Sequence, residues 1–303
     1  MSGKSSAGLG AMPAPDNLRG AALMAGAAMV FSAEALFVRW LTVRGVPVTT
    51  QLLFRACGQL LWVMPLLASG GWGLLRTQHV PMHVLRGLCS LATWALYYFS
   101  LGKLSLATAT ALSFTNVMAT TLLAGPVLRE KVGLVRWAGV MAGFAGVCVM
   151  LRPWEGAGLM AMAPIGVAAA LGSSITWCGL TLTTRLLTRT ESTGTILGWV
   201  GLVTSLGVLP AAIWGWQPIG LGDLGLLVVF AVFSPAIIYL MTEAFRYGEA
   251  SAVGPFQYLR LPVMAVTGWI IYAEAPDGMS WLGAGIILAG AALVSTAEAR
   301  ARR

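Results

Sequence analysis

The sequence predicts an all-α integral membrane protein of ten transmembrane helices, arranged as two inverted five-helix repeats. Three observations carry this expectation: the composition, a series of ten apolar runs, and an internal echo at a fixed offset. Of 303 residues, 57% are hydrophobic and 10% charged, with a mean hydropathy of +0.80. A soluble domain has about 25% charged residues, and a water-soluble chain of this length has no way to bury so much apolar side chain. The net charge of +8 is scattered singly through short loops. With no basic stripe and no nucleic-acid motif, membrane topology accounts for it and no nucleic-acid partner is expected.

Taken in order, residues 1–17 are rich in Gly, Ser, Ala and Pro and read as a flexible cytoplasmic tail. Apolar runs near the spanning length of roughly 20 residues then fall at approximately 20–38, 51–69, 85–102, 106–127, 135–151, 160–183, 195–215, 222–242, 252–272 and 280–297. The first has no cleavage site before Arg39 and nine more follow it, so it reads as a helix and not a signal peptide. Short connections carry turn signals, such as Arg44-Gly45-Val46-Pro47 and Gln217-Pro218. Residues 18–153 and 154–298 form the two repeats, and 299–303 a basic tail.

The echo spans both repeats. Glu130, Trp137, Gly139, Ala145 and Gly146 recur as Glu274, Trp281, Gly283, Ala289 and Gly290, with no gap between copies. Gly and Ala matches are cheap in so apolar a chain, whereas Glu and Trp are scarce, so their shared spacing carries the weight. A repeat this long marks halves of a duplicated fold, since solenoid periods run to about 20–50 residues. Five spans per half is an odd number, so the second half is upside down relative to the first. That architecture puts a substrate site near the bilayer midplane, where the halves meet. Gly139-x-x-x-Gly143 is a small-residue spacing suited to a close helix crossing.

Orientation follows from Lys and Arg. With the N-terminus cytoplasmic, that side takes thirteen of them, the other only Arg39, Arg44, Lys103 and Arg152. Both termini are therefore expected in the cytoplasm. The four cysteines lie in apolar runs without a C-x-x-C pair and read as small hydrophobes packed between helices. His79 and His83 flank Pro81 in a loop with no carboxylate near, so no metal site is expected.

At this point the chain resembles the EamA family of the drug/metabolite transporter superfamily, over essentially all of residues 20–297. The carriers are Glu130 and Glu274 with their Trp-x-Gly and Ala-Gly followers, Pro262, Ala250-Ser251 after Arg246-Tyr247-Gly248, and Phe54-Arg55. One departure is Met118, which stands where the offset from Pro262 falls, so the two halves need not kink alike. The resemblance implies a secondary transporter of the bacterial inner membrane. It implies alternating-access movement of a small organic solute, without ATP or a cofactor. Amino acids, S-adenosylmethionine, riboflavin and drugs are the range of solutes. Pro255-Phe256-Gln257-Tyr258 and Glu274-Ala275-Pro276 resemble most the members associated with S-adenosylmethionine or riboflavin. Direction, energy source and oligomeric state stay open, a homodimer included.

Charges inside a bilayer are expensive and mark functional candidates. Glu34, about 21 Å into its span at 1.5 Å per residue, and Arg55, about 9 Å from the opposite face, reach the same depth of a roughly 30 Å core. They read as a structural ion pair, as a contact for a substrate ammonium, with Glu34 as a proton carrier, or as a lipid-facing accident. Arg260 lies near the midplane just before Pro262, whose ring disturbs the bond to the Tyr258 carbonyl. The 144-residue offset maps Arg260 to Asn116, Tyr258 to Phe114 and Gln257 to Ser113. Arg260, Asn116, Gln257 and Tyr258 are therefore candidate cavity residues, with Arg260 binding a carboxylate or other anionic group. The competing reading is an internal Arg260–Glu243 pair.

Trp94, Tyr97 and Tyr98 share a helical face. Tyr239 maps one step from Trp94, which makes Trp94 and Tyr239 candidates for stacking on a planar or cationic ligand or for simple packing. Glu130 and Glu274 sit at span ends and read as solvated carboxylates that fix loop geometry. Gly3-Lys4-Ser5 lacks the first glycine of a phosphate loop. No serine has a histidine partner at membrane depth, and nothing resembles a carbonyl filter, so an intramembrane enzyme and a channel are the weaker alternatives.

Overall fold

The structure is a computed structural model that describes residues 16–101, 103–104, 112–152, 154, 163–272 and 276–301. Ten helical rods are seen: α1 (Asn17–Val43), α2 (Val48–Gly70), α3 (Val80–Leu101), α4 (Thr115–Leu128), α5 (Leu134–Leu151), α6 (Pro164–Leu187), α7 (Thr193–Trp214), and α8 to α10. The rod α8 is two segments, Leu221–Phe233 and Pro235–Tyr247. The rod α9 is Ala250–Val253, a 3-10 turn Gly254–Leu259, and Arg260–Tyr272; α10 is Gly278–Ala301. Five of these, α2, α6, α7, α8 and α10, are long and apolar enough to cross a membrane by length and composition.

Local chemistry sets the ends. Ser192 caps α7 by accepting from the Thr195 N–H at 3.0 Å. Pro164 opens α6, where its missing N–H costs nothing. At the end of α4, Arg129 adopts a left-handed conformation, with φ of 59°. Its N–H reaches the Gly125 carbonyl, the bond of an αL ending, and the Glu130 N–H reaches the carbonyl of Ala124. This ending turns Glu130 back into the protein. The carboxylate is buried, not solvated as its position suggested. It accepts from the Ala250 N–H at 2.8 Å, the Ser251 N–H at 3.0 Å and the Ser251 hydroxyl at 2.9 Å, with Arg185 at 3.4 Å. Glu130 thus satisfies orphan donors at the start of α9. Its echo, Glu274, lies outside the described residues.

The packing obeys an approximate two-fold axis. Rods α5 and α10 pack on each other, as do α2 and α7, while α3 packs on α6 as α8 packs on α1. Adding five to each label returns the same pairs. The echo residues sit on the axis itself. A Cβ on Gly146 would lie 2.7 Å from the Gly283 carbonyl oxygen, and one on Gly290 would lie 3.1 Å from that of Gly139. Position 139 opposite 290 and 146 opposite 283 makes the two helices antiparallel, which is the inverted relation. Phe114 and Tyr258, equivalent by the offset, touch across the same axis with centroids 5.2 Å apart.

Two smaller expectations change. His83 is not in a loop but in the first turn of α3, buried and stacked on Trp199 at 5.6 Å. Cys57 faces outward instead of packing between helices. The start of α1 and the last turns of α10 share one face of the bundle, where Asn17 donates to Glu298 at 2.6 Å.

Candidate functional site

The site is built by the irregular start of α9. In a 3-10 turn, side chains at i and i+3 eclipse, so Gln257 and Arg260 point the same way. Both line a partly open cavity with Met24, Phe31, Trp177, Ile237 and Met241, whose atom-free space, open side included, is about 240 Å³. Tyr258, one step round, points away from it. Its ring is wholly buried against Gly143 and Phe114, so Tyr258 packs the axis and does not line the cavity. The disturbance lies one turn earlier than Pro262 implied. Pro262 falls in the first turn of the Arg260–Tyr272 segment, where a missing N–H is tolerated.

Arg260 is buried, and no described carboxylate lies within ion-pair distance of it. Its guanidinium instead rests on three rings: Phe114 at 4.0 Å, Phe31 at 4.6 Å and Trp177 at 5.1 Å. The internal alternative is excluded by geometry: Glu243 pairs with Arg246 at 3.3 Å and accepts from Thr193. It belongs to the end of the bundle that holds the chain termini, one turn from the end of α8.

On the other side of the ring layer lies a second, partly open cavity, walled by α2, α3 and α7 and lined by Arg55, Gln59, Ser90, Trp94 and Thr204 among others, whose atom-free space, open side included, is about 320 Å³. Trp94 stacks on Phe31 at 6.0 Å and lies 5.8 Å from Trp177, while Arg55 sits 4.0 Å over the Trp94 ring. The interior of the bundle therefore holds a layer of Phe31, Trp94, Trp177 and Phe114, with Arg55 over Trp94 and Arg260 over Phe31, Phe114 and Trp177. Each such cation–ring contact is worth about 0.5–2 kcal/mol when desolvated.

Glu34 and Arg55 do meet: Nη1 lies 2.9 Å from Oε1, and both side chains are 4% exposed, which excludes a lipid-facing position. The contact is electrostatic more than hydrogen-bonded, because the N–H directions miss the carboxylate and no guanidinium nitrogen makes a hydrogen bond. The other Glu34 oxygen accepts from Ser234 at 3.0 Å. Ser234 is the break between the halves of α8, a feature that Ser234-Pro235 signalled and that the spacing of apolar residues concealed. Phe31, Phe114 and Trp177 were likewise missed, since an aromatic residue in an apolar span carries no local mark of function.

Two other candidates fall elsewhere. Asn116 is buried in α4 but lines neither cavity. Tyr239 is 41% exposed and lies 6.2 Å from Trp62 on the outside of the bundle. The side chain of Tyr98 lies outside the described residues.

A duplicated, inverted helical bundle with a central aromatic layer is an architecture shared by many membrane transporters for small solutes. Residues 18–152 and 164–296 each match the EamA-like transporter family, and the chain belongs to that family. It is 29% identical over 295 residues to a riboflavin transporter of Vibrio cholerae, covering 94% of this chain and 96% of the relative. It is 30% identical to a riboflavin transporter of Rhizobium johnstonii, covering 94% and 93%. An S-adenosylmethionine uptake transporter of Rickettsia bellii is 28% identical over 79% of this chain and 80% of its own. A solved crystal structure at 20% identity superposes with a TM-score of 0.77 over 94% of this chain and 99% of that one, which shows the fold alone.

Proposed function

We propose that this protein carries a flavin, riboflavin or a close analogue, across the cytoplasmic membrane of a bacterium, using the two cavities and the ring layer between them as its site. Both termini are cytoplasmic, as the Lys and Arg bias requires. Transport proceeds by alternating access of the two inverted halves, without nucleotide hydrolysis. The 240 Å³ cavity then faces the cytoplasmic half and the 320 Å³ cavity the outer half.

The observation that carries the substrate class is the charge of the ring layer. Two buried arginines flank it, and the carboxylate nearest to it, Glu34, is already committed to Arg55 and Ser234. A planar, electron-rich ring with several carbonyl acceptors suits that layer by stacking and by hydrogen bonds from Arg260, Trp177 and Gln257. Of these, the Trp177 Nε1 and Gln257 Nε2 donors have no hydrogen-bond partner. A pose that sets the sulfonium of S-adenosylmethionine against Arg260 is disfavoured. At about 5 Å from an unpaired guanidinium and an effective dielectric near 20, repulsion costs about 3 kcal/mol.

Counterflow in proteoliposomes tests this. Riboflavin inside the vesicles should drive uptake of labelled riboflavin, and external S-adenosylmethionine should not compete. Arg260→Ala should lower riboflavin uptake at least about tenfold while improving competition by cationic analogues. Exchange of S-adenosylmethionine but not riboflavin rejects the flavin reading.

A further inference from the structure

Arg55 and Gln59 stand four residues apart on α2, so their side chains lie one above the other on a single face. Both line the 320 Å³ cavity, and each residue is 3% exposed. Yet Nε, Nη1 and Nη2 of Arg55 and Oε1 of Gln59 are buried without a hydrogen bond. Each unmade bond costs about 1–3 kcal/mol, and folded proteins keep few such groups. A donor set and an acceptor that face one cavity without satisfying each other describe the complement of a ligand edge.

The chemistry of that edge follows from the counts. Gln59 asks for one N–H, and Arg55, a planar fork of donors, asks for more than one acceptor. Glu34 at 2.9 Å already balances the charge of Arg55, so the ligand group here is dipolar and neutral, in contrast to the unpaired Arg260. A ring imide, carbonyl–N–H–carbonyl, has this composition. An aminopurine edge offers a single acceptor beside its amine and leaves the fork underused. Trp94, on the same wall, favours a rigid ring over a flexible polyol chain.

We infer that this cavity is a specificity subsite for the imide edge of the transported ring, in which Gln59 accepts the ring N–H and Arg55 donates to the carbonyls. The inference rests on the flavin reading above. It assigns substrate discrimination to Gln59, a residue that carries no charge and no echo in the second repeat.

The test compares riboflavin with 3-methylriboflavin, in which a methyl group replaces the imide hydrogen, as competitors in counterflow by purified protein. The parent should prefer riboflavin by about tenfold or more, because the methylated ring leaves the Gln59 oxygen unpaired. In Gln59→Leu the preference should collapse to about one, through loss of riboflavin uptake with 3-methylriboflavin uptake retained. Equal competition by the two flavins in the parent overturns the inference, and that comparison needs no variant. A preference that survives Gln59→Leu overturns the role of Gln59. Absence of any flavin exchange, with exchange of another solute, rejects the flavin reading itself and is a separate outcome.

Discussion

Glu34 and Arg55 show how a buried charge pair is held in an apolar bundle. Removing one partner of a buried pair leaves the other uncompensated, at a cost of about 3–5 kcal/mol, whereas replacing both with apolar residues of similar size is often neutral. Glu34→Gln should therefore lower the thermal midpoint of the detergent-solubilised protein by several degrees, and Glu34→Leu combined with Arg55→Met should recover most of that loss. If the double variant is as stable as the parent but inactive in counterflow, the pair serves transport and not folding. Proton carriage by Glu34 has its own readout. A pH dependence of uptake present in the parent should vanish in Glu34→Gln, and its persistence removes that role. Glu130 belongs to this scale too. Glu130→Ala strips the acceptor from three donors at the start of α9 and should cost about 3 kcal/mol or more, read by thermal unfolding.

Among the elements, α5 and α10 carry the clearest consequence. Their glycines bring two backbones together so closely that a Cβ on Gly283 would lie 2.6 Å from the Gly146 carbonyl oxygen. Gly146→Leu or Gly283→Leu should abolish the folded, monodisperse protein in size-exclusion chromatography. Gly285→Ala, on the same helix with nothing within 4 Å of its new carbon, should change stability by less than about 0.5 kcal/mol. In α9 the 3-10 turn sends Gln257 and Arg260 to one side and Tyr258 to the other, a division that an α-helical reading of the same residues obscured. The offset itself was reliable where the face was respected. Tyr239 and its equivalent Ala95 are both exposed, while Ile238 and Trp94 are both buried. One residue is about 100° around a helix, enough to move Tyr239 from the cavity to the outside.

For the whole molecule, the two ends of the bundle differ. At the end that holds the termini, Arg136 joins α5 to Glu298 of α10 at 2.8 Å and to Glu249 between α8 and α9, and donates to Ser251 at 2.9 Å. At the opposite end the described ion pairs, Arg44–Asp223 and Arg152–Asp277, are exposed. Such exposed pairs are worth about 0–1 kcal/mol, so the terminal end is the more firmly closed in this conformation. Arg136→Ala should loosen it, raising the labelling of a Met24→Cys variant by a membrane-impermeant thiol reagent added from that side. Unchanged labelling removes Arg136 from the closure.

Composition, the number of helices and the inverted repeat were all legible from residue order, because each is a property of one helix or of a constant offset. Pairing of Glu34 with Arg55 was legible for the same reason: depth along a helix scales with residue number. What only tertiary structure decided is rotation and neighbourhood. It placed Phe31, Trp94 and Trp177 from three helices and Phe114 from the cap of a fourth in one layer, left Tyr258 and Tyr239 outside both cavities, gave Glu243 to Arg246, and drew Glu130 inward. In a chain this apolar, almost any face of a helix can be buried, so periodicity alone does not say which face meets the axis. The crossing of backbones at the paired glycines sets that rotation, and with it the residues that line the two cavities.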